Sequence, residues 1–255
     1  MHRNHVDDMS YVQKLLSSDF SEAFRLWKNG VRLYRSSTDK GIVDLATPFF
    51  RTSAGTGNEY TLLISDILPS WQNYPKRNYC IICAGNRSSA EEYQEPGRAV
   101  YCVLPKNGAS IAIAPTADMW YSFPILRKYR IETLDDFNRK LVLFLSSASG
   151  MPQNAIEQMF QDSDVPAVIK LFKDIETDAK TLKRTSSRKF DDFLISGLNI
   201  GESLTMLLDR LLSPDANGFS VCRISEVAEV KTEVWTSSDC LFLDEKMLPR
   251  FRGWL

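Results

Sequence analysis

Any chemistry this chain performs must be done with almost no histidine. Its two histidines, His2 and His5, sit in the opening stretch MHRNHVDDMS, so a Ser-His-Asp or Cys-His site lacks its base. No GxGxxG, no Walker A pattern and no GxSxG occurs. Carboxylates, lysine, arginine and backbone donors remain. One workable arrangement puts an arginine on an early strand, where its planar fork grips a phosphate. A carboxylate on a late strand then bonds a sugar hydroxyl and stabilises a cationic sugar centre. The five cysteines are Cys80, Cys83, Cys102, Cys222 and Cys240, odd in number and irregular in spacing. Those in the runs YCIIC and VYCVL read as small hydrophobes in a reducing compartment. Cys80 and Cys83 form a CxxC, but a structural zinc needs a second ligand pair, so no metal is expected.

The elements that must position such groups follow from periodicity. Phe20, Ala23, Phe24 and Trp27 fall on one face of a helix read over residues 10–29, closed by Gly30. The strand pattern VRLYRSS follows. Residues 36–60, rich in Ser, Thr, Gly and Asp, read as loop, and residues 59–69 as a helix ending before Pro69. YCIICA and RAVYCVLP are strands with a short helix, SSAEEY, between them. The turn PKNG leads to a third strand, SIAIAP. Residues 132–213 are helical, opened by Thr133 with Asp136 spaced as in a capping box. The C-terminal part returns to strands in FSVCRISEV and TEVWTSSDCLFL. Helix and sheet, then helices, then sheet is an α+β order.

Composition bounds the function classes. Basic residues number 31 and acidic residues 32, so bulk charge directs the chain neither to nucleic acid nor to an anionic membrane. No run approaches 18 apolar residues, and the N-terminus lacks the apolar core of a signal peptide. The expectation is a soluble cytoplasmic protein that does not engage a membrane.

Three separated pieces carry a resemblance. LYRSS, residues 33–37, resembles the arginine strand of ADP-ribosyltransferases of the bacterial toxin type. Those enzymes combine an arginine after an aromatic, a Ser-Thr-Ser strand and a glutamate near the C-terminus. YCIICAGNRSSAEEY is similar to the middle region, with Ala90 and Tyr93 matching its short helix. RAVYCVLPKNGASIAIAP matches the following strand, Pro-Lys-Gly turn and strand, with one extra turn residue. TEVWTSSDCLFL resembles the glutamate strand and places Glu233 as the catalytic residue. Cys83-Ala84-Gly85 stands where Ser-Thr-Ser is expected. Three readings of that departure stand open: Cys83 serves as a weaker donor, a neighbour such as Ser88 substitutes, or the register is shifted.

The resemblance implies a single α+β domain over residues 1–255, with a split β-sheet and a helical insertion at about 132–213. It implies a mono-ADP-ribosyltransferase that uses NAD as substrate and needs no metal. Arg35 would pair with the phosphates, Cys83, Ala84 and Gly85 would line the nicotinamide pocket, and Tyr93 would stack. Glu233 would bond the nicotinamide ribose. The acceptor would be a macromolecule, protein or nucleic acid. Such enzymes act as toxins or in defence, antiviral defence included, and a neutralising or inhibitory partner protein is implied as well. Arginine-modifying members carry Glu or Gln two residues before the glutamate. Here that residue is Lys231, which disfavours a guanidinium acceptor. The run KTLKRTSSRK, with Lys180, Lys183, Arg184, Arg188 and Lys189, reads either as a solvated linker or as a phosphate contact. Arg51, Asn58 and Arg77 sit in segments that could face a ligand, with nothing further to single them out. The competing reading is a non-catalytic binding or structural protein that keeps a decayed version of this fold.

Overall fold

A computed structural model describes residues 3–5, 9–38, 43–50, 58–92, 96–177 and 202–244. In chain order the elements are β1 (Arg3–His5), α1 (Met9–Ser17), α2 (Ser21–Lys28), β2 (Leu33–Ser37), β3 (Val43–Ala46), α3 (Glu59–Leu62), β4 (Ile81–Ala84), α4 (Arg87–Glu92), β5 (Ala99–Pro105), β6 (Ser110–Ile113), α5 (Pro124–Arg127), α6 (Leu134–Ser149), α7 (Gln153–Gln161), α8 (Val165–Thr177), α9 (Leu204–Leu211), α10 (Pro214–Asn217), β7 (Ser220–Arg223), β8 (Glu233–Thr236) and β9 (Cys240–Asp244). The architecture is mixed α+β. Tyr93, Arg51 and residues 178–201 of the expected helical block, the run 180–189 among them, lie outside the described residues. Among the described residues no helix is long and apolar enough to cross a membrane.

The chain divides into two compact units. One takes in Met1–Arg51, Tyr74–Asp118 and Phe219–Leu255 and carries every strand above with α1, α2 and α4. Its sheet is antiparallel throughout, in the order β1-β3-β9-β5-β2-β4-β8-β6-β7. The central ladders are long: β5 runs from Leu33↔Val103 to Ser37↔Ala99 beside β2 and from Tyr101↔Asp244 to Pro105↔Cys240 beside β9. β2 and β4 meet at one residue pair, Tyr34↔Ala84. Phe20, Ala23, Phe24 and Trp27 are all buried in this unit's core, as their spacing predicts. Phe24 and Trp27 stack with centroids 5.5 Å apart.

Two sequence expectations are modified here. The helix read over 10–29 is broken between Ser17 and Ser21. Ser17 and Ser18 donate their hydroxyls back to the Gln13 and Lys14 carbonyls, and such local bonds compete with helix continuation. The loop read over 36–60 contains β3, whose Val43 and Ala46 are buried against β9. Its ladder partner, not its composition, makes it a strand.

The other unit takes in Thr52–Asn73 and Met119–Gly218 and carries α3 and α5–α10. The helical block read over 132–213 lies inside it. Thr133 caps α6, accepting from Asp136 N at 3.1 Å, and Gly150 closes it in the left-handed region, φ 72°. The carboxylate of Asp136 does not reach back as a glutamate would; it pairs forward with Arg139 at 2.7 Å and Lys140 at 2.8 Å.

Candidate active site

The sheet sets β2, β4 and β8 side by side, although the residues they carry are far apart in sequence. Tyr34 stands opposite Ala84, and Ala84 opposite Glu233, in one cross-strand row. Directly opposed residues share a face, so Tyr34, Ala84 and Glu233 project to the same side. Ile82 and Trp235 form the next pair on that side, since side chains alternate along a strand. Cys83, opposite Val234, therefore projects to the other face, where both are buried in the apolar core. Ala84, and not Cys83, faces across to Glu233. Ser88 is exposed and donates to Asn86 Oδ1 at 2.8 Å.

Arg35 follows Tyr34 in β2 and, by the same alternation, projects to the face of Cys83 and not to that of Glu233, so the sheet does not bring the expected arginine and glutamate together on one face. At Arg35 the ladder to β4 has ended, and its Nη1 donates to the Ile82 carbonyl at 2.5 Å. The guanidinium thus satisfies the main chain of the middle strand where β2 no longer does.

The cation in contact with Glu233 is Arg77. Its Nη2 stands 2.8 Å from Glu233 Oε1, with side chains only 7% and 13% exposed. The contact is an ion pair by distance without the alignment of a hydrogen bond at Oε1. Oε1 is itself shielded from solvent, so the exposure Glu233 keeps lies elsewhere on its side chain. The same guanidinium lies over the Trp235 ring, 5.0 Å from its centroid. Trp235 is fixed in turn: Nε1 donates to the Pro75 carbonyl at 2.8 Å, and Phe219 meets the ring edge-on. Ser237 Oγ donates to the Tyr79 carbonyl at 2.7 Å, and Cys80 Sγ donates to the Arg77 carbonyl at 3.0 Å. The segment before β4 is thus stitched to β8 on both sides of Arg77. In the sequence Arg77 is one cation in the turn NYPKRN, and only the fold reveals its partner.

The chain entering β8 is held just as closely. Gly85 N–H donates to the Thr232 carbonyl at 2.9 Å and Asn86 Nδ2 to the Lys231 carbonyl at 2.8 Å. On the other side Glu233 N–H donates to the Thr116 carbonyl and Ala114 N–H to the Glu233 carbonyl. With its main chain clamped, Lys231 turns its side chain outward, 77% exposed, and its ammonium is 3.9 Å from Glu229. Burial pushes the Cys240 thiol well above its ordinary value, which suits a core cysteine and not a nucleophile. Among the described residues no three His, Cys, Asp or Glu side chains group closely enough to hold a metal ion.

Comparison with protein-family models, with curated proteins and with solved structures gives no match.

Proposed function

We propose that the chain is a mono-ADP-ribosyltransferase that moves ADP-ribose from NAD to a macromolecular acceptor. What carries the reading is the adjacency of β2, β4 and β8, with Tyr34, Ala84 and Glu233 in one row. The strands that resemble the arginine, middle and glutamate strands of the toxin-type enzymes are separated in sequence and neighbours in the sheet. In this reading Glu233 accepts a hydrogen bond from the nicotinamide ribose and its charge stabilises the developing oxocarbenium centre. The bond from the ribose anomeric carbon to nicotinamide breaks, and its electron pair leaves with nicotinamide. The acceptor nucleophile bonds to that carbon and gives up its proton; water in its place yields free ADP-ribose. Arg35 starts from the face opposite to Glu233, so in this reading its phosphate contact has to be made around the short seam where β2 and β4 share one residue pair. Ala84 presents only a methyl opposite Glu233, and Lys231 tilts acceptor choice away from guanidinium groups. A cytoplasmic toxin or defence effector, antagonised by a partner protein, is the setting the resemblance suggests.

A second reading has an observation of its own. No hydroxyl occupies residues 83–85, and the charge of Glu233 is met by Arg77. Both favour a non-catalytic protein that retains the strands without the reaction. Release of nicotinamide from NAD by the purified chain separates the two. The transferase reading expects Glu233→Gln to cut release to a small residual rate while NAD affinity stays within a few fold by calorimetry. Arg35→Ala should weaken binding itself, by about 1.5–3 kcal/mol for a charge-assisted contact. Equal loss of affinity in both variants would show the roles wrongly assigned, and no release by the parent chain would leave the second reading.

A further inference from the structure

We infer that Arg77 is a positioning residue for Glu233; the inference rests on the transferase reading above. A carboxylate this shielded is costly to bury unless its charge is met, and it keeps one orientation only if its rotamer is held. Arg77 does both. It meets Oε1 at 2.8 Å and is itself pinned against the Trp235 ring. That ring is two residues along β8 from Glu233 and on the same face. The indole is anchored to the Pro75 carbonyl, two residues before Arg77. Carboxylate, guanidinium and ring therefore form a closed loop through two short chain segments, 75–77 and 233–235. A planar guanidinium can lie flat on the indole while pointing a nitrogen at the carboxylate, which a lysine ammonium does less well. The carboxylate is thereby held in an orientation set before substrate arrives. Arg77 does not touch the reacting atoms in this scheme. It acts through Glu233.

The test is nicotinamide release from NAD by the full chain, the parent beside Arg77→Ala, Glu233→Gln and the double variant, with KM and kcat resolved. Positioning predicts that Arg77→Ala lowers kcat by about 10- to 100-fold, as for other groups that orient a reacting one, with little change in KM. It predicts also that the double variant is no slower than Glu233→Gln alone, because Arg77 has nothing left to hold. If Arg77→Ala does not fold, Arg77→Lys and Arg77→Gln carry the comparison: lysine should retain part of kcat and glutamine should lose it, at matched thermal stability. Losses that multiply in the double variant, or single Arg77 variants that keep the parent kcat, overturn the inference while the transferase reading stands. No release by the parent chain overturns both.

Discussion

Gly85 and Val230 approach so closely that no β-carbon fits between them. One placed on Gly85 would stand 2.5 Å from the Val230 carbonyl carbon, closer still to its oxygen, and 3.0 Å from Lys231 N. The obstacle is main chain already tied down by Gly85 N–H and Asn86 Nδ2. Gly85→Ser should therefore push the segment entering β8 away and destabilise the fold by about 1–3 kcal/mol, the usual penalty of overpacking. Chemical denaturation of the two chains measures it. A variant as stable as the parent would mean that residues 230–232 are free to move.

The pleat makes a paired prediction for the neighbours of Gly85. Cys83→Ser buries a hydroxyl in the apolar core and should cost about 1–3 kcal/mol of stability. Ala84→Ser places its hydroxyl at a half-buried position opposite Glu233 and should be tolerated within about 0.5 kcal/mol. Melting curves for both decide the register. The reverse ranking would put residue 83 on the Glu233 face after all.

A third prediction concerns pH and lies in the helical unit. Glu59 is buried, 4% exposed, and its Oε2 has no hydrogen-bond partner. Burial holds its carboxyl above the ordinary value, and the nearby charges of Glu157 and Asp135 push the same way. The folded state thus binds the proton more tightly than the unfolded state. The stability this group lends is complete below the unfolded value, about 4.3, and is lost as pH rises through the folded one. Glu59→Gln should raise stability at pH 7 by on the order of 1 kcal/mol and change it little at pH 4. Destabilisation at pH 7 would show that the ionised carboxylate has a favourable partner.

The sequence reading succeeds where a strand's own residues decide its fate. YCIICA, RAVYCVLP and SIAIAP are apolar runs between turn residues, and each became a strand. Val43–Ala46 was hidden because four residues among Ser, Thr and Gly carry no period, and only burial against Leu241 and Leu243 of β9 makes them a strand. In the site, the order of Arg35, residues 83–85 and Glu233 along the chain was readable, and so was a misfit in the middle. Which of the three middle residues faces Glu233 was not, because register depends on the ladder to β8. Arg77 escaped for a related reason: a cation in a turn acquires meaning from Glu233 and Trp235, more than 150 positions away.

The placing of β8 and β9 bears on how the molecule comes into being. Both are interior strands, β8 between β4 and β6 and β9 between β3 and β5. Without them the ladder falls into three fragments: β1 with β3, β5 with β2 and β4, and β6 with β7. A ribosome-bound chain that has not yet delivered Glu233 holds those fragments with bare edges. Closure waits for the last strands to thread into two gaps at once, a long-range event of the kind that folds slowly. Glu233 thus arrives on a segment that completes the sheet, and its row with Ala84 and Tyr34 exists only once the framework has closed.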